Sequence, residues 1–433
     1  MYYAVRISVR VCFDNRSSRY MMSIRLLMLV GMVFTVRGLD EAEMWAEDHS
    51  HIVVIPDVHG DVDALLRSVW LAQKKIEPHR LVPFGDFRLA FTAAVDAPDS
   101  APALISGLGV AVAVVQLGDL VDRGPHSAMC MLTVGAIPRV LGWRLVRLYG
   151  NHEIMAMLHA SGKYLHAQDA ALFGNVSMRN AAFSPGGYLH KEISENYSAM
   201  ARLGSKRTLS PQSPATLFVH GGIDIDWLIN RMNVIPGNIE ETNEEFEAAV
   251  RCGERGALKV LNEDASVLWT RDFDRLDNNE LCGPDLDLML QHFQVARIVV
   301  GHMPQRNREV NSRCDGRIIL ADAMMSRWMI RTHVDEEAMV GGNPVALVLK
   351  INPLSDKLDS IIALYTDLKT GTVDTQTILF GSRGPFSLKK IVESGKYFLL
   401  GRKARRDVPK SIRRSRAEFE EPVCDDETLA CSH

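Results

Sequence analysis

Cysteine is sparse in this chain. Seven are scattered over 433 residues (Cys12, Cys130, Cys252, Cys282, Cys314, Cys424 and Cys431), and no two form a Cys-x-x-Cys pair. That argues against a zinc knuckle, a thioredoxin-type motif and a disulfide scaffold, and leaves room for a single bridge. Neither sign of charge is in excess: 49 Lys and Arg stand against 53 Asp and Glu, for a net charge of -4. Nothing in that balance points to nucleic acid or an anionic membrane as the main partner. No stretch reaches eighteen uninterrupted apolar residues, so the mature protein is expected to be soluble and without a membrane span. No internal repeat is visible either. What is present, 47% hydrophobic and 24% charged residues, is ordinary globular composition, enough for one large domain or two smaller ones.

The ends of the chain differ from its middle. An apolar run, Leu26 to Val36, lies between Arg25 and Arg37. It is too short to cross a bilayer but suits the core of a secretory signal peptide, with Val36 and Gly38 as small residues near a cleavage point. Residues 1–38 are therefore read as a targeting segment, with secretory entry favoured. The basic lead, Arg6, Arg10, Arg16 and Arg19 against Asp14, also suits an organelle transit peptide, and translation starting at Met21 or Met22 is a third reading. Residues 400–433 pair a basic block, "GRKARRDVPKSIRRSR", with an acidic one, "AEFEEPVCDDE", the pattern of a solvated, disordered tail.

Between them, from 48 to 385, short apolar runs alternate with amphipathic stretches. "HIVVI", "VAVVQL", "RLVRLY", "ATLFVH", "ARIVV", "RIILA" and "VALVLKI" read as strands, and "DVDALLRSVWLAQKK" as a helix. The alternation predicts an α/β layered fold. Phe91 to Gly107 and Leu203 to Ala215 are expected to be loops.

Five strand ends share one chemical character. They carry Asp57 and His59, then Asp119, Asp122 and Arg123, then Asn151 and His152, then His220, then His302. Ligands of open α/β sheets bind beyond the carboxyl ends of strands. Carboxylate, imidazole and amide oxygen together suit two adjacent Mn, Fe or Zn ions, and the lack of thiolate argues against structural zinc. One ion would take Asp57, His59 and Asp119; the other would take Asp119, Asn151, His220 and His302, so Asp119 must bridge. Such a pair is expected to hold a bridging hydroxide and to polarise a phosphoryl group for in-line attack. Arg123 would grip the phosphoryl oxygens, and His152, held by Asp122, would protonate the leaving oxygen. Gly85-Asp86 repeats the Gly-Asp dipeptide without the following Asp-Arg-Gly, and Asp86 is read as a decoy.

"DVHGD", "GDLVDRG", "GNHE", "HGG" and "GHMPQ" together resemble the phosphoprotein phosphatase family of metallophosphoesterases, and within it the bacterial-type, Shewanella-like branch. The resemblance implies a calcineurin-like sandwich of two mixed β-sheets flanked by helices. It implies the same metal ligands, a His152–Asp122 proton donor, phosphate binding by Arg123 and Asn151, and two metal ions, with manganese expected and iron or zinc as alternatives. "LWTR" is similar to a further family motif and makes Arg271 a second phosphate clamp or a surface arginine. Pro56 stands where the family has glycine, Met303 where threonine is common, and no Ser-Ala-Pro-Asn-Tyr-Cys stretch is found, a departure from the eukaryotic Ser/Thr branch. The expected activity is hydrolysis of phosphotyrosine or phosphoserine/threonine in a protein or peptide substrate. The alternative is a small-molecule phosphoesterase such as a dinucleoside polyphosphate hydrolase.

Overall fold

The computed structural model describes residues 49–97, 111–204, 213–234, 239–329, 342–352, 357–366 and 373–380. The expected targeting segment and charged tail lie outside the described residues, as do residues 98–107 and 205–212 of the two expected loops.

Two mixed sheets form the frame. In chain order the strands are β1 (His51–Ile55), β2 (Val112–Gln116), β3 (Arg144–Leu148), β4 (Tyr197–Ser198), β5 (Met200–Leu203), β6 (Thr216–Val219), β7 (Arg297–Val300), β8 (Asn311–Arg313), β9 (Ile318–Leu320), β10 (Val345–Asn352), β11 (Lys357–Thr366) and β12 (Val373–Phe380). One sheet has the order β12-β11-β10-β1-β2-β3-β4, the other β5-β6-β7-β9-β8. The four residues Ile52–Ile55 of β1 and all five of β2 are buried. Their runs of Val and Ile suit strands covered on both faces. β1, β2 and β3 are mutually parallel, as are β6, β7 and β9, while β10, β11 and β12 continue the first sheet antiparallel.

The seven apolar runs read from the sequence correspond to β1, β2, β3, β6, β7, β9 and β10. The helix Val62–Ile76 begins at Asp61, whose side chain accepts from Ala64 N at 3.2 Å. That bond satisfies one of the first-turn donors. Leu65, Leu66, Val69, Ala72 and Ile76 recur at helical spacing and are buried, and the helix packs on β10 and β11.

One expected loop needs correction: Phe91 to Asp96 is the last part of the helix Phe84–Asp96. Phe91 and Ala94 are buried at spacing from Phe87 and Ala90, so the apolar face continues past the expected boundary. Asp86 is exposed in the first turn of that helix, away from any strand end, as a decoy should be. A disulfide joins Cys282 to Cys314, with Cα atoms 5.2 Å apart.

Candidate metal centre

Each sheet contributes one parallel triplet of strands whose carboxyl ends meet the other's. Beyond β1 come Asp57 and His59, beyond β2 Asp119, Asp122 and Arg123, and beyond β3 Asn151 and His152. From the second sheet come His220 after β6, His302 after β7 and Asp322 after β9. All are buried except Arg123, which is half-buried. Two contacts stitch the sheets together at this point. His302 N donates to both Asp57 oxygens, at 3.1 and 3.0 Å, and His220 Nδ1 lies 2.7 Å from Leu117 O.

The turns that carry these residues are strained. His59, Asp119, Asp122, Arg123 and His302 have φ of 48, 55, 65, 62 and 61°. Left-handed backbone at non-glycine residues costs about 1–3 kcal/mol each and persists only where surroundings enforce it. Here Val58 N and His59 N donate to Asp119 O at 3.0 and 2.9 Å, and Gly60 N to Leu120 O at 2.8 Å. Glu153, fully buried, accepts from the amides of Asp119, Leu120, Val121 and Gly150 at 2.8, 2.9, 3.3 and 2.8 Å. Close approach also demands glycine at position 150. A Cβ there would lie 2.2 Å from both Asp119 N and Asp119 Oδ1.

Asp119 stands between two groups of donors. Its Oδ2 is 3.6 Å from His59 Nε2, and its Oδ1 is 3.4 Å from His220 Nε2. Both imidazoles are aimed by their other nitrogen: His59 Nδ1 meets Val121 O at 3.2 Å and His220 Nδ1 meets Leu117 O at 2.7 Å. A ring whose Nδ1–H is given to a carbonyl presents the Nε2 lone pair to the site, the arrangement of metal-ligating histidine. For His220 that lone pair then faces Asn151 Oδ1 at 3.0 Å as well as Asp119 Oδ1. Acceptors face acceptors there, which needs a cation or a proton between them. His302 Nε2 is buried with no hydrogen-bond partner.

The charges give the same answer. Burial, then Asp322, pushes the Asp57 carboxyl well above the usual carboxylate range. Burial foremost raises Asp322 to about 6. Burial, then Asp119, raises Glu153 to about 7. Burial opposes charge on Asp119 too, but His220 and His152 outweigh it and hold its carboxyl well below the usual range. Burial likewise opposes a proton on His220, yet Asp119 drives its value up to about 9. Burial lowers His59 and His302 well below the ordinary value. Neutral imidazoles at His59 and His302, and buried carboxylates that without a metal draw a proton onto His220, are what bound divalent cations would relieve. The residues therefore fit two metal ions.

Two triads with ligand atoms within 4.8 Å of one another stand out: His59, Asp119 and His152, and Asp119, His220 and His302. They share Asp119. The first includes His152 and not Asp57, whose carboxylate accepts from His302 N. His152 Nδ1 is 2.9 Å from Asp122 Oδ2, as the expected proton donor requires, leaving its Nε2 for the site. Arg123 has its guanidinium 4.6 Å from the Tyr164 ring centroid, and the same ring stands edge-on to His152 at 5.0 Å. Arg271, half-buried, donates from Nη1 to His302 O at 3.1 Å, so it lies at the centre rather than on a remote surface.

Sequence reasoning missed two buried carboxylates. Asp322 follows β9 as the ligands follow their strands, and its Oδ2 has no hydrogen-bond partner. A sixth loaded strand end, in "ADAMMSRW", was the signal. Glu153 closes the "GNHE" motif, but nothing in its spacing foretells four backbone donors.

An α/β scaffold that buries two His/Asp triads around one shared carboxylate defines a metallophosphoesterase site. A family model for calcineurin-like phosphoesterases matches residues 50–312, and the chain belongs to that family. It is 28% identical over 300 residues to an uncharacterized protein of Schizosaccharomyces pombe, covering 64% of this chain and 79% of the relative. It is 24% identical over 289 residues to Shewanella-like protein phosphatase 1 of Plasmodium berghei, covering 64% of this chain and 67% of that one. In fold it is similar to a cold-active protein-tyrosine phosphatase of a psychrophilic Shewanella species. That likeness has a TM-score of 0.51 at 20% identity, and covers 76% of this chain and 81% of the other.

Proposed function

We propose that the protein is a metal-dependent phosphoprotein phosphatase acting on phosphomonoesters, with phosphotyrosine as the favoured substrate. The observation that carries this reading is Asp119, whose two oxygens face two different imidazole nitrogens at 3.6 and 3.4 Å. Asp57, His59 and Asp119 would hold one ion, and Asp119, Asn151, His220 and His302 would hold the other. Manganese is favoured on the oxygen and nitrogen donor set. Divalent ions so held supply electrostatic stabilisation of the phosphoryl group and a nucleophile at neutral pH.

The chain's own residues do the rest. Arg123, stiffened against Tyr164, binds the phosphoryl oxygens as a planar fork, and Arg271 offers a second positive charge beside His302. Asn151 orients from the first turn of its helix. Asp122 holds the His152 ring so that Nε2 delivers a proton to the departing oxygen.

The test is to profile Mn-loaded protein against phosphotyrosine and phosphothreonine peptides and a dinucleoside tetraphosphate. Turnover of phosphopeptides, tyrosine foremost, is expected; turnover of the dinucleotide alone would refute the reading. The Cys282–Cys314 disulfide supports an oxidising, secretory-pathway location for the chain. Mapping the mature N-terminus of the expressed protein checks it, with cleavage between residues 21 and 40 expected and an intact Met1 contradicting it.

A further inference from the structure

The helix Val176–Phe183 carries an arginine that no motif singles out, and it is buried. Arg179 donates from Nη2 to Asp122 Oδ1 at 2.6 Å and from Nε to Asp169 Oδ2 at 2.8 Å. Asp169 accepts from Ser127 N and Ser127 Oγ, each at 2.8 Å, and Ser127 Oγ accepts from Asp122 N at 3.2 Å. The circuit therefore begins and ends on Asp122, whose remaining oxygen faces His152 Nδ1 at 2.9 Å. Asp122, Ser127, Asp169 and Arg179 are each at most 1% exposed.

Such a circuit is a costly way to gain stability. Desolvating an arginine and two carboxylates consumes most of what their attraction returns. What it does supply is orientation. A buried carboxylate with one oxygen free can rotate and present either oxygen, or an edge of both, to an imidazole. With Oδ1 fixed by Arg179 and the Asp122 amide fixed by Ser127, only Oδ2 is left for His152. Asp169 in turn keeps the guanidinium from turning away.

We propose that Arg179, seated by Asp169, is a positioning residue for the leaving-group proton. It holds Asp122 so that the His152 ring keeps Nδ1–H on Oδ2 and Nε2–H on the departing oxygen. In that step water's oxygen bonds to phosphorus and the ester P–O bond breaks with its electron pair on the departing oxygen. That oxygen takes the Nε2 proton; the proton released by water goes to solvent, from which His152 is recharged. The inference rests on His152 being the proton donor, and the test separates the two.

Proton donation matters most for a poor leaving group, so phenyl phosphate and p-nitrophenyl phosphate are compared with the Mn-loaded full chain. Arg179→Met is expected to lower kcat on phenyl phosphate by about 10²-fold, the scale of general-acid catalysis, while p-nitrophenyl phosphate falls by less than about 5-fold. KM and a content of two ions per chain are expected to stay unchanged, and Arg179→Lys to recover part of the loss. In metal-free protein, the low-field imidazole N–H signal that disappears in His152→Asn is expected to disappear in Arg179→Met also. Equal losses on both substrates, no loss, or an intact imidazole signal would overturn the role of Arg179. If His152→Asn discriminates between the substrates and Arg179→Met does not, only this inference falls. If His152→Asn does not discriminate, the proton-donor reading falls first and takes this one with it. Should Arg179→Met fail to fold, Asp169→Asn, which leaves the arginine in place, is expected to give the same substrate discrimination at smaller size; uniform loss there overturns the proposal.

Discussion

A single methyl group should uncouple the metal centre from the fold. Gly150 precedes Asn151 with ordinary extended backbone, φ -103° and ψ 167°, so alanine meets no conformational penalty there. The obstacle is spatial: the new Cβ would lie 2.2 Å from Asp119 N, 2.2 Å from Asp119 Oδ1 and 2.6 Å from Glu153 Oε2. Non-bonded heavy atoms rest at roughly 3.5 Å, so Asp119 must retreat by about 1 Å. Metal–ligand distances tolerate about 0.2 Å, and disturbing even an outer hydrogen bond to a ligand costs about 10–100-fold in affinity. Because Asp119 serves both triads, Gly150→Ala is expected to weaken both ions by about 100-fold or more. Calorimetric titration with Mn, alongside circular dichroism to verify folding, reads the effect. Gly85→Ala is the control. That glycine belongs to the decoy Gly-Asp pair, sits near the start of the helix Phe84–Asp96 and has nothing within 4 Å of its would-be Cβ. It should leave metal binding untouched and stabilise the fold by up to about 1 kcal/mol. Two ions bound to Gly150→Ala with wild-type affinity would refute the reasoning.

Other perturbations test separate parts. His51 is pushed down to about 4 by burial first and by Lys350 second, with Asp359 partly offsetting. The unfolded chain binds a proton there below about 6.5 and the folded chain does not until about 4, so stability is whole above 6.5 and falls as pH drops towards 4. Its partial exposure limits the effect to about 2 kcal/mol, and urea unfolding at pH 7 and 4.5 should show His51→Phe freed from that part of the decline. Cys282→Ser opens a loop with 32 residues of separation and should cost about 3–4 kcal/mol on the chain-entropy scale. Urea unfolding reads that as well, and a wild-type midpoint would contradict it. Arg271→Ala is expected to raise KM for phosphopeptides about 10-fold with two ions still bound, since its guanidinium lies beside the ligands without being one; steady-state kinetics with metal analysis decides it.

The metal centre is legible in the sequence to the extent that each ligand follows its own strand. β1, β2, β6 and β7 are buried runs dominated by apolar residues, β3 is buried at its carboxyl end, and the residues just past these ends meet in one crevice. β9 obeys the same rule, and Asp322 escapes notice because its flanks, Ala321, Ala323 and Met324, look like core. Arg179 and Asp169 are not legible at all. They lie 57 and 47 positions from Asp122, on helices whose placement depends on packing rather than on any local pattern. The helix Phe84–Asp96 runs into the expected loop for a related reason: small, weakly apolar residues such as Ala93 and Ala94 read as loop until a neighbouring surface covers one face. β11 and β12 follow β10 directly as antiparallel neighbours, and polar residues such as Asp359, Ser360, Asp374 and Gln376 break up the apolar runs that mark the other strands.

The shared role of Asp119 is the centre of this description, and anomalous diffraction from Mn-loaded crystals tests it most directly. Two anomalous peaks are expected, one on the His59 side of the Asp119 carboxylate and one on the His220 side, with both lost in Asp119→Asn. A single peak, or two peaks neither of which touches Asp119, would contradict it.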